Sequence, residues 1–232
     1  LFTLLVACAA ALAVPAADAQ TPPGRTYRPG NFDAIDITGS AVVRFVQGSA
    51  DQVFVEGDDD TQQAVGFEVH DGRLQIHPRG AWKFWNDRRL EIEVTARDLT
   101  RVGIYGAADF RASGPVKVDR LTVDIAGAGL ARFDRLNADN LSFQVSGAGN
   151  GDISGIAKNL NVRISGRSSF RGENLKSENA KVAVSGIGDV KIWATQDLGI
   201  SVAGVGTIDY WGSPAVTRSV SGKATINDRG AK

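Results

Sequence analysis

The chain has 232 residues with 26 basic and 26 acidic side chains, so its formal net charge is zero. That balance gives no long-range pull toward phosphate backbones and argues against a nucleic-acid partner. A single cysteine permits no intramolecular disulfide, and 27 glycines beside 43% hydrophobic residues predict a sizeable core punctuated by tight turns.

The opening stretch, LFTLLVACAAALAVPAADAQ, is apolar and uncharged until Asp18. It reads as the apolar region of a secretory signal peptide spanning residues 1–19, with an A-x-A cleavage site at Ala17-Asp18-Ala19. Leu5-Val6-Ala7-Cys8 offers a second reading as a bacterial lipobox, in which Cys8 would carry a lipid anchor. No later stretch approaches the roughly 20 apolar residues that a spanning helix needs. The expected mature chain is therefore exported, to the periplasm or the cell surface, with no transmembrane segment. Residues 20–31 (QTPPGRTYRPGN) hold three prolines and two glycines without a hydrophobic period, and predict a flexible linker.

From Phe32 the pattern changes. FDAIDITG, AVVRFVQG and DQVFVEG alternate apolar and polar residues and each ends at glycine, the signature of half-buried strands between turns. Asp58, Asp59 and Asp60 form an acidic corner. GFEVHDGRLQIHP predicts a hairpin, with Asp71-Gly72 supplying positive φ at the turn. Residues 81–89 (AWKFWNDRR) are an aromatic and charged insertion, after which LEIEVTARDLTRVGI resumes strand character.

Residues 101–232 repeat one pattern seven times. An alternating strand leads into a small residue and a glycine, a second strand follows, and a polar turn closes the unit. The aligned glycines are Gly106, Gly127, Gly147, Gly166, Gly186, Gly204 and Gly222, spaced 18 to 21 residues apart. Such a period marks a solenoid. A coil of about 20 residues at roughly 3.3 Å each is long enough to circle a small β-helix once. Leu121, Val123 and Ile125 share one strand face, as do Leu141, Phe143 and Val145, then Leu160, Val162 and Ile164, so stacked coils would place them in apolar columns. Asn140, Asn159, Asn179 and Asp197 recur at the unit boundaries and predict a stacked turn ladder. The glycines are expected at a corner that requires positive φ or close backbone approach. The expected fold is all-β: a repeat-built parallel β-helix or β-solenoid with a period of about 20 residues. It forms one domain over 32–232, with N-terminal strands and a hairpin over 32–100 and repeats over 101–232.

FDAIDITGSAVVRFVQG, DGRLQI, LTRVGIYGAADF and the later SGAG, SGIGDV and AGVGTIDYWGSPAV together resemble the bacterial head GIN domain family, described as an auto-transporter adhesin head. The resemblance covers about Phe32 to Ile226. It implies an all-β, solenoid-like protein of the cell envelope and brings no catalytic residues. The chain has no region long enough for a separate translocator barrel, so a complete auto-transporter is not expected. Arg167 replaces the second small residue of the SGAG motif and predicts a local irregularity in that repeat.

Candidate chemistry is sparse. His70 and His77 flank the hairpin turn near Glu68 and Asp71; no spacing specifies a third ligand, and they read as surface histidines with no metal. The serines beside the corner glycines (Ser146, Ser165, Ser185 and Ser221) lack a histidine or a G-x-S-x-G elbow and read as small corner residues. GAGNGD at 147–152 is one imperfect copy of a calcium repeat that works only in stacks, and the G-A-G runs lack the βαβ setting of a dinucleotide site. No cofactor is expected. Asp109, Asp134, Asp152, Asp189 and Asp209 follow the corners at different offsets, which favours a solvated face over the paired carboxyls of a glycosidase. The aromatic residues are the best surface clue. Trp82, Phe84 and Trp85 in the insertion, and Trp193, Tyr210 and Trp211 in the late repeats, suit contacts with a sugar or a protein, since each offers a flat apolar face. Capping of the solenoid ends is the competing role. The expectation is a non-enzymatic binding or scaffold module of the envelope, whose partner is an envelope glycan or a surface protein. A polysaccharide-active enzyme using repeat aspartates and a purely structural protein are the alternatives.

Overall fold

A computed structural model describes residues 23–79 and 90–232. The predicted signal peptide and the candidate residues Trp82, Phe84 and Trp85 lie outside the described residues. In chain order the elements are β1 (Gly24–Tyr27), β2 (Ala34–Ile37), β3 (Ala41–Gln47), β4 (Gln52–Glu56), the short helix α1 (Asp59–Gln63), β5 (Val65–His70), β6 (Arg73–Pro78), β7 (Leu90–Ala96), β8 (Arg101–Ile104), β9 (Asp109–Ile125), β10 (Leu130–Val145), β11 (Asn150–Ile164), β12 (Arg167–Val184), β13 (Ile187–Val202), β14 (Val205–Trp211), β15 (Ala215–Val220) and β16 (Lys223–Asp228).

The long strands β9 to β13 stack in parallel, each in register with the next over most of its length. Each bends as it goes round. In β10 the pairing runs over 130–133, shifts between Phe133 and Leu136, and resumes to Val145, and the same shift recurs in β11 and β12. The bends divide every coil into three sides: side one (130–133 in β10), side two (136–138) and side three (141–145). The fold is a β-solenoid of about six turns, as the period predicted.

Alternation decides which residues build the core. On side three, Val123, Phe143, Val162, Val182 and Ile200 form one buried column, and Ile125, Val145, Ile164, Val184 and Val202 form the next. On side one, large and small residues trade places along the axis: Phe110 with Ala112, Ala131 with Phe133, Gly151 with Ile153, and Phe170 with Gly172. This exchange keeps the filled volume constant from coil to coil, as close packing demands. Phe45, Phe110 and Phe133 follow one another with ring centroids 5.9 and 5.4 Å apart, and Phe143 meets Phe170 at 5.0 Å. Each such ring contributes roughly 1.5–3 kcal/mol by burial.

The corner between sides three and one is where the repeated glycines stack. A Cβ on Gly127 would stand 2.1 Å from the Gly106 carbonyl oxygen, and one on Gly166 would stand 1.8 Å from that of Gly147. None of the seven aligned glycines has positive φ. Close backbone approach, rather than left-handed geometry, excludes a side chain there. Arg167 does not disturb this corner. Its backbone N–H donates to the Gly147 carbonyl (3.0 Å), its side chain points outward, and the predicted irregularity does not occur.

The column of corner glycines begins earlier than the sequence repeats suggest. Gly39 lies below Gly106, and β2 and β3 pair in parallel with β8 and β9. Residues 34–45 are thus a first coil, separated from the others by the insertion 48–100. That insertion builds on the coil's open edge. β7 joins β3 in parallel, then β4 and β1 follow antiparallel, while β6 pairs with β2 and β5 with β6. The hairpin β5–β6 turns at Asp71 (φ 51°) and Gly72 (φ 73°), as expected. Two details differ from the sequence reading. The acidic corner starts α1, with the Asp58 carboxylate accepting from the Thr61 N–H (2.9 Å) as an N-cap. Residues 24–27 of the expected linker form β1, because the Gly57 N–H and the β4 edge hold them in the sheet. Among the described residues no helix is long and apolar enough to cross a membrane.

Candidate functional site

On side three the outward residues form two adjacent columns. The first runs Gly103, Asp124, Gln144, Arg163, Ala183 and Ser201. The second, at the corner, runs Tyr105, Ala126, Ser146, Ser165, Ser185 and Ala203. Beyond Tyr105 the corner column is therefore all small residues, while the first column carries larger side chains from Asp124 to Arg163. The result is a trough of about 450 Å³ along the solenoid axis, with Tyr105 and Arg101 at its head.

The head of the trough is a held arrangement. Gly103 leaves room for the Tyr105 ring to fold back over it, and Tyr105 is still 43% exposed. Arg101 donates to the Tyr105 hydroxyl (3.1 Å) and pairs with Asp124 (2.5 Å). Asp36 accepts from Arg73 (3.1 Å), and its other carboxylate oxygen lies 3.9 Å from Arg101 Nε. Burial opposes the Arg101 charge, but the Tyr105 hydroxyl, Asp124 and Asp36 outweigh it and raise its pKa above the usual guanidinium value. Asp36 Oδ1 and Arg101 Nε are both buried without a hydrogen bond.

Further along, Arg163 is exposed and has no ion-pair partner among the described residues. The Ser165 hydroxyl donates to the Val145 carbonyl (3.1 Å), which leaves its oxygen lone pairs facing the trough. The serines expected to be corner residues are corner residues, and they also make the floor polar.

Trp193 and Trp211 lie elsewhere, on neighbouring strands of side two, where Lys176, Trp193 and Trp211 are consecutive rungs. Both rings are half-buried. Tyr210 is not part of this surface. Strand alternation turns it inward, it is 4% exposed, and its hydroxyl accepts from Arg218 (3.3 Å). It is a core residue, not a surface contact.

The remaining sequence candidates are dispersed. The Glu68 carboxylate lies 3.5 Å from His70 Nε2 and 3.7 Å from His77 Nε2, and no group of three metal-ligating side chains is assembled among the described residues. Asp109 and Asp189 share one outward column of side one but stand four strands apart, roughly 19 Å at sheet spacing. Asp152 and Asp209 share another, three strands apart. Asp134 is taken up by Arg132 (2.7 Å) and Asp209 by Arg229 (3.0 Å). Asp189 and Asp209 come near one another diagonally, on the open face of side one rather than in a cleft.

A sequence model of the family described as "Putative auto-transporter adhesin, head GIN domain" matches residues 31–214. The chain belongs to this family. Solved structures similar to this head GIN domain include a putative adhesin from Bacteroides fragilis, with a TM-score of 0.80 at 24% identity over 90% of this chain and 96% of that one. A putative lipid binding protein from Parabacteroides distasonis follows at 0.67 and 20%, covering 92% and 98%. A putative adhesin from Parabacteroides merdae scores 0.66 at 19%, covering 90% and 96%. At these identities the likeness is one of fold. No curated protein matches the chain.

Sequence reasoning missed the trough. One signal for it was present: Tyr105 occupies a position where the later repeats carry only alanine or serine, two residues after a glycine that replaces a polar outward residue.

Proposed function

We propose that this head GIN domain is a non-catalytic recognition module of the cell envelope, and that it holds an acidic glycan in the side-three trough. The observation that carries this reading is the trough's outward face: an exposed aromatic ring at its head, held by Arg101, which pairs with Asp124, and an unpaired Arg163 two strands beyond Asp124. A sugar ring stacks its apolar face on an aromatic side chain while its hydroxyls meet planar polar groups such as Gln144 and the arginines. The unpaired guanidinium favours a sugar that carries a carboxylate or phosphate. An extended ligand fits a trough that crosses several coils, the usual way solenoids bind. The family's description as an adhesin head supports an envelope location and a role in contact. One structural neighbour is described as a lipid binding protein; the trough mixes alanine, valine and isoleucine with Arg101, Asp124, Gln144, Arg163 and serines, and these polar side chains suit a hydroxylated ligand better than an acyl chain. Trp193 and Trp211 are a separate surface in this reading, and Trp82, Phe84 and Trp85 are proposed as additional contacts.

The test is binding of the purified chain to immobilised neutral and acidic polysaccharides, with Tyr105→Ala and Arg163→Ala run in parallel and folding checked by circular dichroism. The reading expects at least about tenfold weaker binding for either folded variant, the loss of one stacking or charged contact. Binding unchanged in both variants, or no glycan bound by the parent chain, would rule the trough out.

A further inference from the structure

After β16 the chain runs on alongside the end of β14 onto side two. The Arg229 N–H donates to the Tyr210 carbonyl (2.9 Å) and the Gly212 N–H to the Gly230 carbonyl (2.9 Å). These backbone bonds deliver Lys232 onto the two tryptophans. Its ammonium lies 5.4 Å from the Trp193 ring centroid and 5.6 Å from that of Trp211. It also donates to the Glu173 carbonyl oxygen and to Asn174 Oδ1 (2.9 Å). Glu173 Oε2 is buried and has no hydrogen-bond partner.

Two indole faces, a backbone carbonyl and an amide oxygen form a set of groups that recognises an alkylammonium ion. Each supplies negative potential or an acceptor, and the rings exclude water from one side. Lys176, 5.7 Å from the Trp193 ring, shows that a second cation already shares the shelf. The register explains why the site is here: Trp193 and Trp211 are adjacent rungs of one ladder, while Glu173 and Asn174 lie at the bend between sides one and two of β12.

We infer that Trp193, Trp211, Glu173 and Asn174 form a binding site for the primary ammonium group of a lysine-like side chain on a partner peptide, a site that Lys232 fills from within the chain. A partner must displace Lys232 to enter. The site lies on a different side of the solenoid from the glycan trough, so each reading can fail alone.

The experiment follows the indole N–H signals of Trp193 and Trp211 by NMR, assigned through Trp193→Phe and Trp211→Phe. The titrants are Nα-acetyl-lysine methylamide and, as a control without the ammonium, Nα-acetyl-norleucine methylamide. With Lys232→Ala, and with Lys232→Met, which keeps most of the alkyl chain, both signals should shift saturably with the lysine probe and not with norleucine. The unchanged protein should require about tenfold more probe, because a tethered competitor acts at millimolar effective concentration. Asn174→Ala, placed on the Lys232→Ala background, should weaken binding severalfold. If both Lys232 variants ignore the lysine probe, or respond equally to norleucine, the inference is overturned and the tryptophans are an apolar shelf.

Discussion

The Tyr105 ring occupies the space that a side chain on Gly103 would need: a Cβ there would stand 2.8 Å from Tyr105 Cε2 and 3.0 Å from its hydroxyl. It would also stand 2.3 Å from Asp36 Oδ1. The glycine is thus part of the trough, although it touches no ligand. Gly103→Ala should push the ring off Arg101 and cost about 1–3 kcal/mol in stability, as overpacked sites do. Glycan binding should fall by as much as in Tyr105→Ala. Urea unfolding and polysaccharide binding read the two effects separately, and an alanine variant with unchanged binding would mean that the position of the ring is immaterial.

The corner column makes a sharper structural demand. A methyl group on Gly166 would overlap the Gly147 carbonyl oxygen at 1.8 Å, and both belong to backbone already fixed by the ladder. Gly166→Ala should therefore destabilise the chain by about 3 kcal/mol or more. Gly199 is the control. A Cβ there meets only Lys181 Cγ, at 3.8 Å, so Gly199→Ala should be neutral or stabilise by up to about 1 kcal/mol. Equal losses at the two sites would refute the close-approach account.

These positions also show what the sequence could disclose. The glycine spacing and the alternation around Phe143 or Val162 are local signals, and together they specify a stacked coil before any contact is known. The first coil at residues 34–45 was hidden because the insertion 48–100 breaks the period, even though Gly39 belongs to the same column as Gly106. β1 was hidden because its strand character comes from the edge of β4, not from its own proline-flanked residues. The trough depends on register between coils, which stacks Gly103, Asp124, Gln144 and Arg163 in one outward column and which no single segment encodes. The grouping of Tyr210 with Trp211 is a different kind of miss. A period of two places neighbours on opposite faces, so the residues themselves argued that only one of them could be outside.

Of the boundary ladder predicted from Asn140, Asn159, Asn179 and Asp197, the three asparagines form a chain of side-chain hydrogen bonds, while Asp197 stands in register with Asn179 but takes no part in that chain. Asn159 Nδ2 donates to Asn140 Oδ1 and Asn179 Nδ2 to Asn159 Oδ1, each at 3.1 Å. Asn159 is the middle member and takes part in both. Asn159→Ala should cost about 1–2 kcal/mol, roughly 1 kcal/mol for each hydrogen bond lost. Asn140→Ala removes a single bond and should cost about half as much. Thermal unfolding of the two variants would test this order, and an equal cost would show that the amides do not act as a linked ladder.

Acid should weaken one contact near the N-terminal end of the solenoid first. Asp51 is nearly buried at its carboxylate and is held by Arg97, whose Nε and terminal nitrogen donate at 3.2 and 2.5 Å. Those side-chain bonds lower the Asp51 pKa below the ordinary carboxylate value. Burial pulls the other way, and the Arg97 backbone N–H adds to the lowering. A depressed folded-state pKa means that the stabilisation is fully present above the unfolded-state value of about 3.9 and is lost as pH falls through the folded-state value. Asp51→Asn should accordingly be less stable than the parent chain at pH 7, and the gap should narrow progressively below about pH 4 as the parent's carboxylate takes up a proton. Urea unfolding of both proteins between pH 7 and pH 2.5 would measure it. A gap that stays constant down to pH 2.5 would mean that the Asp51–Arg97 contact contributes nothing through its charge.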